Sequence, residues 1–378
     1  MDNIVNKDLK SCDATSLRSF YSGRRVLVTG STGFKGAWLC KLLLCLGAEV
    51  AGYALKPPTR PSLFDITKLN RKIKQVYADI RDRNALENAV ISFRPEVVFH
   101  LAAQSIVIDS YKDPFTTYET NAMGTVNILD VVRKTNSVTS FVNITTDKVY
   151  EINEEDSCAH KEDDKLDGYD PYSNSKSCSE LITHSYKRSF PFDFKNCSIS
   201  TARAGNVIGG GDFSPYRILP DCLRSLIEND VMYVRNPASV RPYQHVLESI
   251  TAYLLIAMIQ DPKYGGTQKS GCYNIGPDKE DAVSTKELVT LFAEYWGSDF
   301  VWQAKSAKGP HEASYLRLNN TKIKQQLGWK PCWSVKEAVI KTVEWNKVWL
   351  SRGDKAATKL LNEQIDEYLN TMFHNKKT

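Results

Sequence analysis

Directly after a short apolar run, Arg25–Thr29 (RVLVT), the chain reads Gly30-Ser31-Thr32-Gly33-Phe34-Lys35-Gly36 and passes into a helix-like stretch over residues 37–46, ended by Gly47. Few folds accommodate this order. Glycines so spaced let the backbone turn tightly and let a phosphate approach where a Cβ would obstruct it. The helix that follows offers free N–H groups and the positive end of its dipole. A second β-rich run, residues 49–53, completes a strand–turn–helix–strand unit of the kind that separates a diphosphate cradle from an ordinary tight turn. Gly30, Thr32, Gly33, Phe34, Lys35 and Gly36 are therefore the first expected cofactor contacts.

The alternation continues. Helix candidates lie near residues 62–69 and over 83–93, 117–134 and 173–188; strand candidates lie at 75–78, 96–101, 141–144 and 196–202. Strands alternating with helices of this length imply an α/β fold, a Rossmann-type doubly wound parallel sheet covered on both faces. From about Gly205 the alternation weakens and Gly, Pro and aromatic residues become dense, which suggests a smaller C-terminal substrate-binding lobe over a cleft at the carboxyl ends of the strands. The expected organisation is an irregular N-terminal extension over 1–22, a dinucleotide-binding domain over 23–205 with segments near 241–276 returning to it, and the lobe mainly within 206–372.

Composition narrows the class of partner. Hydrophobic residues make up 42% and charged residues 25%, and the net charge of +5 is dispersed, so a packed globular protein is expected and no nucleic-acid partner. The N-terminal residues lack an apolar signal core, and the most apolar segment, residues 37–55, is interrupted by Lys41, Gly47 and Glu49. Nine cysteines without metal-type spacing read as reduced thiols. A cytoplasmic protein, with no membrane and no metal partner, is the expectation.

Two clusters carry chemistry. Tyr172-Ser173-Asn174-Ser175-Lys176 puts a phenol and an ammonium one helical turn apart on one face. A phenol titrates near about 10 and is a poor base at neutral pH; an adjacent ammonium favours the phenolate. Thr145-Thr146-Asp147-Lys148 follows the strand at 141–144 and should line the cleft. Thr146 can hydrogen-bond a sugar hydroxyl, while Asp147 and Lys148 add an acid/base pair that hydride transfer alone does not need. Asp79-Ile80, after the third strand, offers an adenine contact. The acid that would hold ribose hydroxyls is missing from the second strand's tip, where Tyr53-Ala54-Leu55-Lys56 stands; Lys56 and Arg60 could meet a 2′-phosphate, so these residues leave NAD and NADP open.

Read together, TGSTGFKGAWL, HLAAQS, NITTDKVYE, GYDPYSNSK, RAGNVIGGGD, VRNPASVRPYQHVLE, YNIGP and HEASYLRL resemble the CDP-glucose 4,6-dehydratase family, within the extended short-chain dehydrogenases/reductases, over roughly residues 23–345. The resemblance implies NAD-dependent dehydration of CDP-glucose to CDP-4-keto-6-deoxyglucose. Tyr172, its pKa lowered by Lys176, would take the C4 hydroxyl proton as hydride passes to NAD. Lys148 would act at C5–H, Asp147 would protonate the departing C6 hydroxyl, and the hydride would return to C6. Leu101, Ala102 and Ala103 would join Tyr172 and Lys176 as cofactor contacts. Gln104, Asn206, Arg217, Arg241 and Glu312 would contact the nucleotide sugar, and a homodimer or homotetramer would form on the helices at 117–134 and 173–188. Ser105 and Ile108 depart from the family's Pro and Arg, and the loop at 152–167 lacks its tryptophans. Alternatives are a nucleotide-sugar 4-epimerase or 4-reductase, which needs no Asp147–Lys148 pair, and an inactive Rossmann scaffold.

Overall fold

A computed structural model describes residues 14–152, 158–305 and 316–374. Its centre is a seven-stranded, all-parallel sheet built from β1 (Arg25–Thr29), β2 (Glu49–Ala54), β3 (Lys74–Tyr77), β4 (Val97–His100), β5 (Ser140–Ile144), β6 (Ser198–Ala204) and β7 (Cys272–Ile275). The spatial order is β7-β6-β5-β4-β1-β2-β3, with Val26 opposite Val50 on one side and Val97 on the other. The strand order reverses between β1 and β4, and the crevice above that point is where ligands bind in doubly wound sheets.

The inner strands are apolar in both parities because both faces are covered. Val26, Val28, Phe99, Val142 and Ile144 pack on one face with α2 (Phe34–Cys45) and α7 (Val246–Gln260). Leu27, Val98, Phe141 and Ile199 pack on the other with α3 (Arg83–Phe93) and α4 (Gly124–Arg133). Every residue of α7 is buried, which explains its all-round apolar sequence VLESITAYLLIAMIQ.

Three elements differ from expectation. Ala14–Tyr21, read as irregular, is a helix (α1) whose Leu17, Phe20 and Tyr21 enter the core, with Tyr21 donating to Leu254 O at 2.9 Å. The helix near 62–69 is short, Leu63–Ile66, followed by a tight turn, Leu69–Arg71. The single helix read over 117–134 is three segments, with a wider turn at Glu119–Met123 between Pro114–Tyr118 and α4.

Later segments build a second cluster. α6 (Ile218–Glu228), α8 (Thr285–Trp296) and the start of α9 (Val335–His374) enclose Leu219, Cys222, Val289, Phe292 and Val339. Gly353 (φ 72°) breaks α9, and the second leg returns Leu361, Ile365 and Tyr368 to the main core. Buried Glu248 on α7 accepts from Cys332 N, Trp333 N and Tyr368 Oη (2.6 Å), and burial pushes its carboxyl up to about 7. No helix among the described residues is long and apolar enough to cross a membrane.

Candidate active site

A cavity of about 840 Å³ opens at the carboxyl ends of the strands. Its first wall is the glycine turn. Gly30 takes φ 72°, and a Cβ there would lie 2.8 Å from Ala102 N; at Gly36 it would lie 2.1 Å from Gly30 O. Gly33 caps α2 without any side-chain hydrogen bond, so the helix's first N–H groups face the cavity uncapped. A diphosphate suits such a wall, because backbone donors and the dipole are in place and no side chain intrudes. Thr32 Oγ1 donates to Leu55 O at 2.9 Å, tying the turn to the tip of β2. Asp79 lines the cavity with Ile80, but its carboxylate is taken by Arg81 Nη2 at 2.8 Å and is held below the usual range. Of the two cations at the tip of β2, Lys56 lines the cavity.

The second wall carries the titratable groups. β5 ends at Ile144, and Thr146 begins a tight turn over Asp147–Val149, its Oγ1 donating to Asp147 Oδ1 at 3.0 Å. Asp147 is 1% exposed and its Oδ2 has no partner, an arrangement that burial makes costly unless a ligand supplies a donor. Lys148 Nζ lies 3.6 Å from Asp147 Oδ1 and 3.4 Å from Asn206 Oδ1.

α5 (Pro171–Ser189) brings the phenol and ammonium. Asp170 accepts from Ser173 N at 3.0 Å, and Pro171 takes the first turn, where its missing N–H costs nothing. One turn on, Lys176 Nζ donates to Ile144 O at 2.9 Å. Burial opposes the lowering of the Tyr172 pKa that the resemblance assigns to Lys176. Burial pushes the phenol up to about 12, against a hydrogen bond with Thr146, and the Asp147 carboxylate adds to the rise. Lys176 is itself pushed down to about 8 by burial, which leaves its amine mostly charged at neutral pH.

A buried network fixes this geometry. Glu180, one turn beyond Lys176, takes both Arg203 Nε and Nη2 at 3.0 Å and accepts from Thr145 (2.5 Å) and Thr201 (2.7 Å). Arg203 also donates to Tyr150 Oη at 2.8 Å, and Tyr150 reaches Asn274 on β7 at 2.6 Å. Removing one partner of such a pair costs about 3–5 kcal/mol, because the other charge is left buried and alone. α5 is thereby clamped to β5, β6 and β7, which holds Tyr172 over Thr146.

The remaining expected residues gather on the same cavity. Leu101 and Ala102 donate their N–H groups to Thr29 Oγ1 at 3.1 Å each, beside Ala103. Gln104 is held by its own turn, its Nε2 donating to Ile106 O at 2.9 Å. Arg217 caps α6 and pairs with Asp212 at 3.1 Å. Arg241 is buried and donates to Val240 O at 2.9 Å. Glu312 lies outside the described residues. Buried His100, hydrogen-bonded to Thr29 at 2.8 Å, is held neutral by burial, its pKa down to about 3.

One group goes further than its sequence reading. Lys35, assigned only to the cofactor turn, reaches into the catalytic region, where its Nζ donates to Tyr253 Oη at 3.3 Å. Burial pushes its amine down to about 7, with the charges of Arg217, Lys176 and Lys148 adding to the effect. Its partner comes from the interior of α7, more than two hundred residues on, and no local pattern announces that contact.

The model of the family described as GDP-mannose 4,6 dehydratase matches residues 27–342. The chain belongs to this family. Among its relatives, the CDP-glucose 4,6-dehydratase of Salmonella typhimurium is 43% identical over 356 residues, covering 93% of this chain and 98% of that one. A probable dTDP-glucose 4,6-dehydratase of Sinorhizobium fredii is 29% identical, over 85% of this chain and 92% of its own. Among solved structures, the Thermus thermophilus UDP-glucose 4-epimerase in complex with NAD matches with a TM-score of 0.72 at 25% identity, covering 85% and 99%. The dTDP-glucose 4,6-dehydratase from Streptomyces venezuelae shares the fold with a TM-score of 0.72 at 24% identity, over 87% and 98%.

Proposed function

We propose that the chain is a hydro-lyase that converts CDP-glucose to CDP-4-keto-6-deoxyglucose with NAD as a cofactor regenerated in each cycle. Asp147 carries this reading: a buried carboxyl with an unpartnered oxygen sits in the same cavity as Tyr172, Thr146 and Lys176. An epimerase or reductase has no elimination for such a group to serve. The likeness to the Salmonella CDP-glucose enzyme supports the choice of substrate.

NAD fits the glycine wall, whose tight approaches exclude a Cβ and whose helix N-terminus is uncapped. When bound, it supplies the acceptor for hydride from C4 and the donor that returns hydride to C6. The chain's own residues do the rest. Tyr172 and Thr146 hold the C4 hydroxyl, and Tyr172, as the phenolate, takes its proton. Oxidation at C4 acidifies C5–H, which lies within the reach assigned to Lys148. Asp147 gives its proton to the C6 oxygen, so the group leaves as water rather than hydroxide, and the carboxylate formed is next to the Lys148 ammonium. Arg217 and Arg241 present guanidinium groups to the diphosphate.

Incubation with CDP-glucose, UDP-glucose, dTDP-glucose and GDP-mannose, with added NAD, tests this by product mass. Loss of one water from CDP-glucose is expected. If no donor loses water while an epimer or reduced cofactor appears, the elimination reading fails.

We also place the chain in the cytoplasm, where the free thiols among its described cysteines would persist, and assemble it as a homodimer or homotetramer. Exposed Phe115, Met123 and Leu181 on the 114–133 segment and α5 offer the apolar surface. Light scattering should return a mass of at least two chains; a monomer would sink this assembly.

A further inference from the structure

One wall of the cavity is made by the first turn of α6 and by the short strand Met232–Val234 with Arg235 after it. Leu219, Met232 and Tyr233 are among its lining residues. Arg217 stands at the N-cap, and the Asp221 N–H closes the first turn on Arg217 O at 2.9 Å. The backbone therefore rises about 6 Å along the helix axis from Arg217, the arginine assigned to the diphosphate, to Asp221.

That carboxylate is held in place. Arg224 Nη2 donates to Oδ1 at 2.6 Å. Tyr216 adopts left-handed backbone, φ 62°, immediately before the helix, a conformation that costs a non-glycine residue energy. Asp221 is 31% exposed and borders the cavity, with the charge of Arg235 close by. A partly desolvated carboxylate gains from an N–H donor on a ligand and is penalised by a carbonyl oxygen.

Pyrimidines differ at this edge. Cytosine presents an exocyclic amino group at N4, a donor, where thymine and uracil present the O4 acceptor, and Asp or Glu is the side chain that accepts from cytosine N4. We propose that Asp221 reads the base of the nucleotide sugar: its carboxylate accepts the N4 amino group of cytosine and rejects the O4 carbonyl of uracil or thymine, with Arg224 holding it in register. The assignment rests on the reading of the cavity as a nucleotide-sugar site and adds to it the residue that selects the base.

The test compares kcat/KM for CDP-glucose and UDP-glucose, by water loss, in the wild-type protein and Asp221→Asn. An amide of the same shape can turn either its oxygen or its NH₂ to the base. The wild type is expected to favour CDP-glucose, and Asp221→Asn to narrow that ratio about 10- to 100-fold, through KM rather than kcat. A second arm needs no variant: N4,N4-dimethyl-CDP, which lacks both N4 donors, should inhibit the wild type less strongly than CDP. A wild type without base preference, a ratio unchanged in Asp221→Asn, or equal inhibition by the two nucleotides would overturn the proposal. Failure of the dehydratase reading looks different: no donor then loses water, while wild-type binding of CDP against UDP, followed by calorimetry, still reports on Asp221.

Discussion

Tyr172→Phe is expected to lower turnover about 100- to 10,000-fold, the usual contribution of a positioned general base, while the protein still retains dinucleotide. Only the phenol oxygen is lost, and the ring still packs at the start of α5 above Thr146. Its neighbours fix how that oxygen works. Burial pushes the phenol up to about 12, and the Lys176 ammonium, pushed down to about 8, donates to Ile144 O. To take the C4 hydroxyl proton the phenol must first lose its own, and the positive charge of an oxidised nicotinamide beside it would favour that phenolate. The loss should appear at the first step. Single turnovers with CDP-glucose should form neither reduced dinucleotide nor a keto sugar, and the denatured variant should release as much NAD as the wild type. Reduced dinucleotide formed at the wild-type rate would remove Tyr172 from the base role.

How much of this was legible without coordinates depends on whether the signal was local. Gly30, Gly33 and Gly36 were readable because close approach excludes a Cβ, and the packing of Gly36 against Gly30 O shows that constraint directly. Thr146, Asp147, Lys148, Tyr172 and Lys176 were readable because a strand end and one helical turn place them by short-range geometry, and all of them line one cavity. The helix Ala14–Tyr21 was missed because its few apolar positions identify themselves only against α7. That burial works against the phenolate of Tyr172 was hidden for a related reason. Spacing puts Lys176 one turn away, but nothing local says that both groups are buried or that the ammonium already has a carbonyl to bond. The clamp of Glu180 on Arg203 and the reach of Lys35 to Tyr253 join segments far apart in the chain, and such pairs carry no periodic signature.

Asp147→Asn should divide the reaction in two. The substitution preserves shape and the contact with Thr146 Oγ1, now through an amide oxygen, but removes the proton that the carboxyl would give to the C6 oxygen. C4 oxidation depends on Tyr172, Thr146 and the dinucleotide, so it should proceed. Elimination should fall about 100- to 10,000-fold, since the leaving group would depart as hydroxide. With the hydride removed from C4 and no C6 centre to receive it, reduced dinucleotide should accumulate to about one equivalent per site, alongside a 4-keto sugar that keeps its C6 hydroxyl. Absorbance of the reduced nicotinamide and the product's mass report the two halves separately. The buried, unpartnered Oδ2 makes this outcome specific, because a carboxyl kept only to pair with Lys148 would leave elimination running when replaced by Asn. Normal formation of the dehydrated product, or failure to reduce the dinucleotide at all, would take the acid role away from Asp147. Tyr172→Phe combined with Asp147→Asn should show neither signal, since the second step has nothing to act on until the first has oxidised C4.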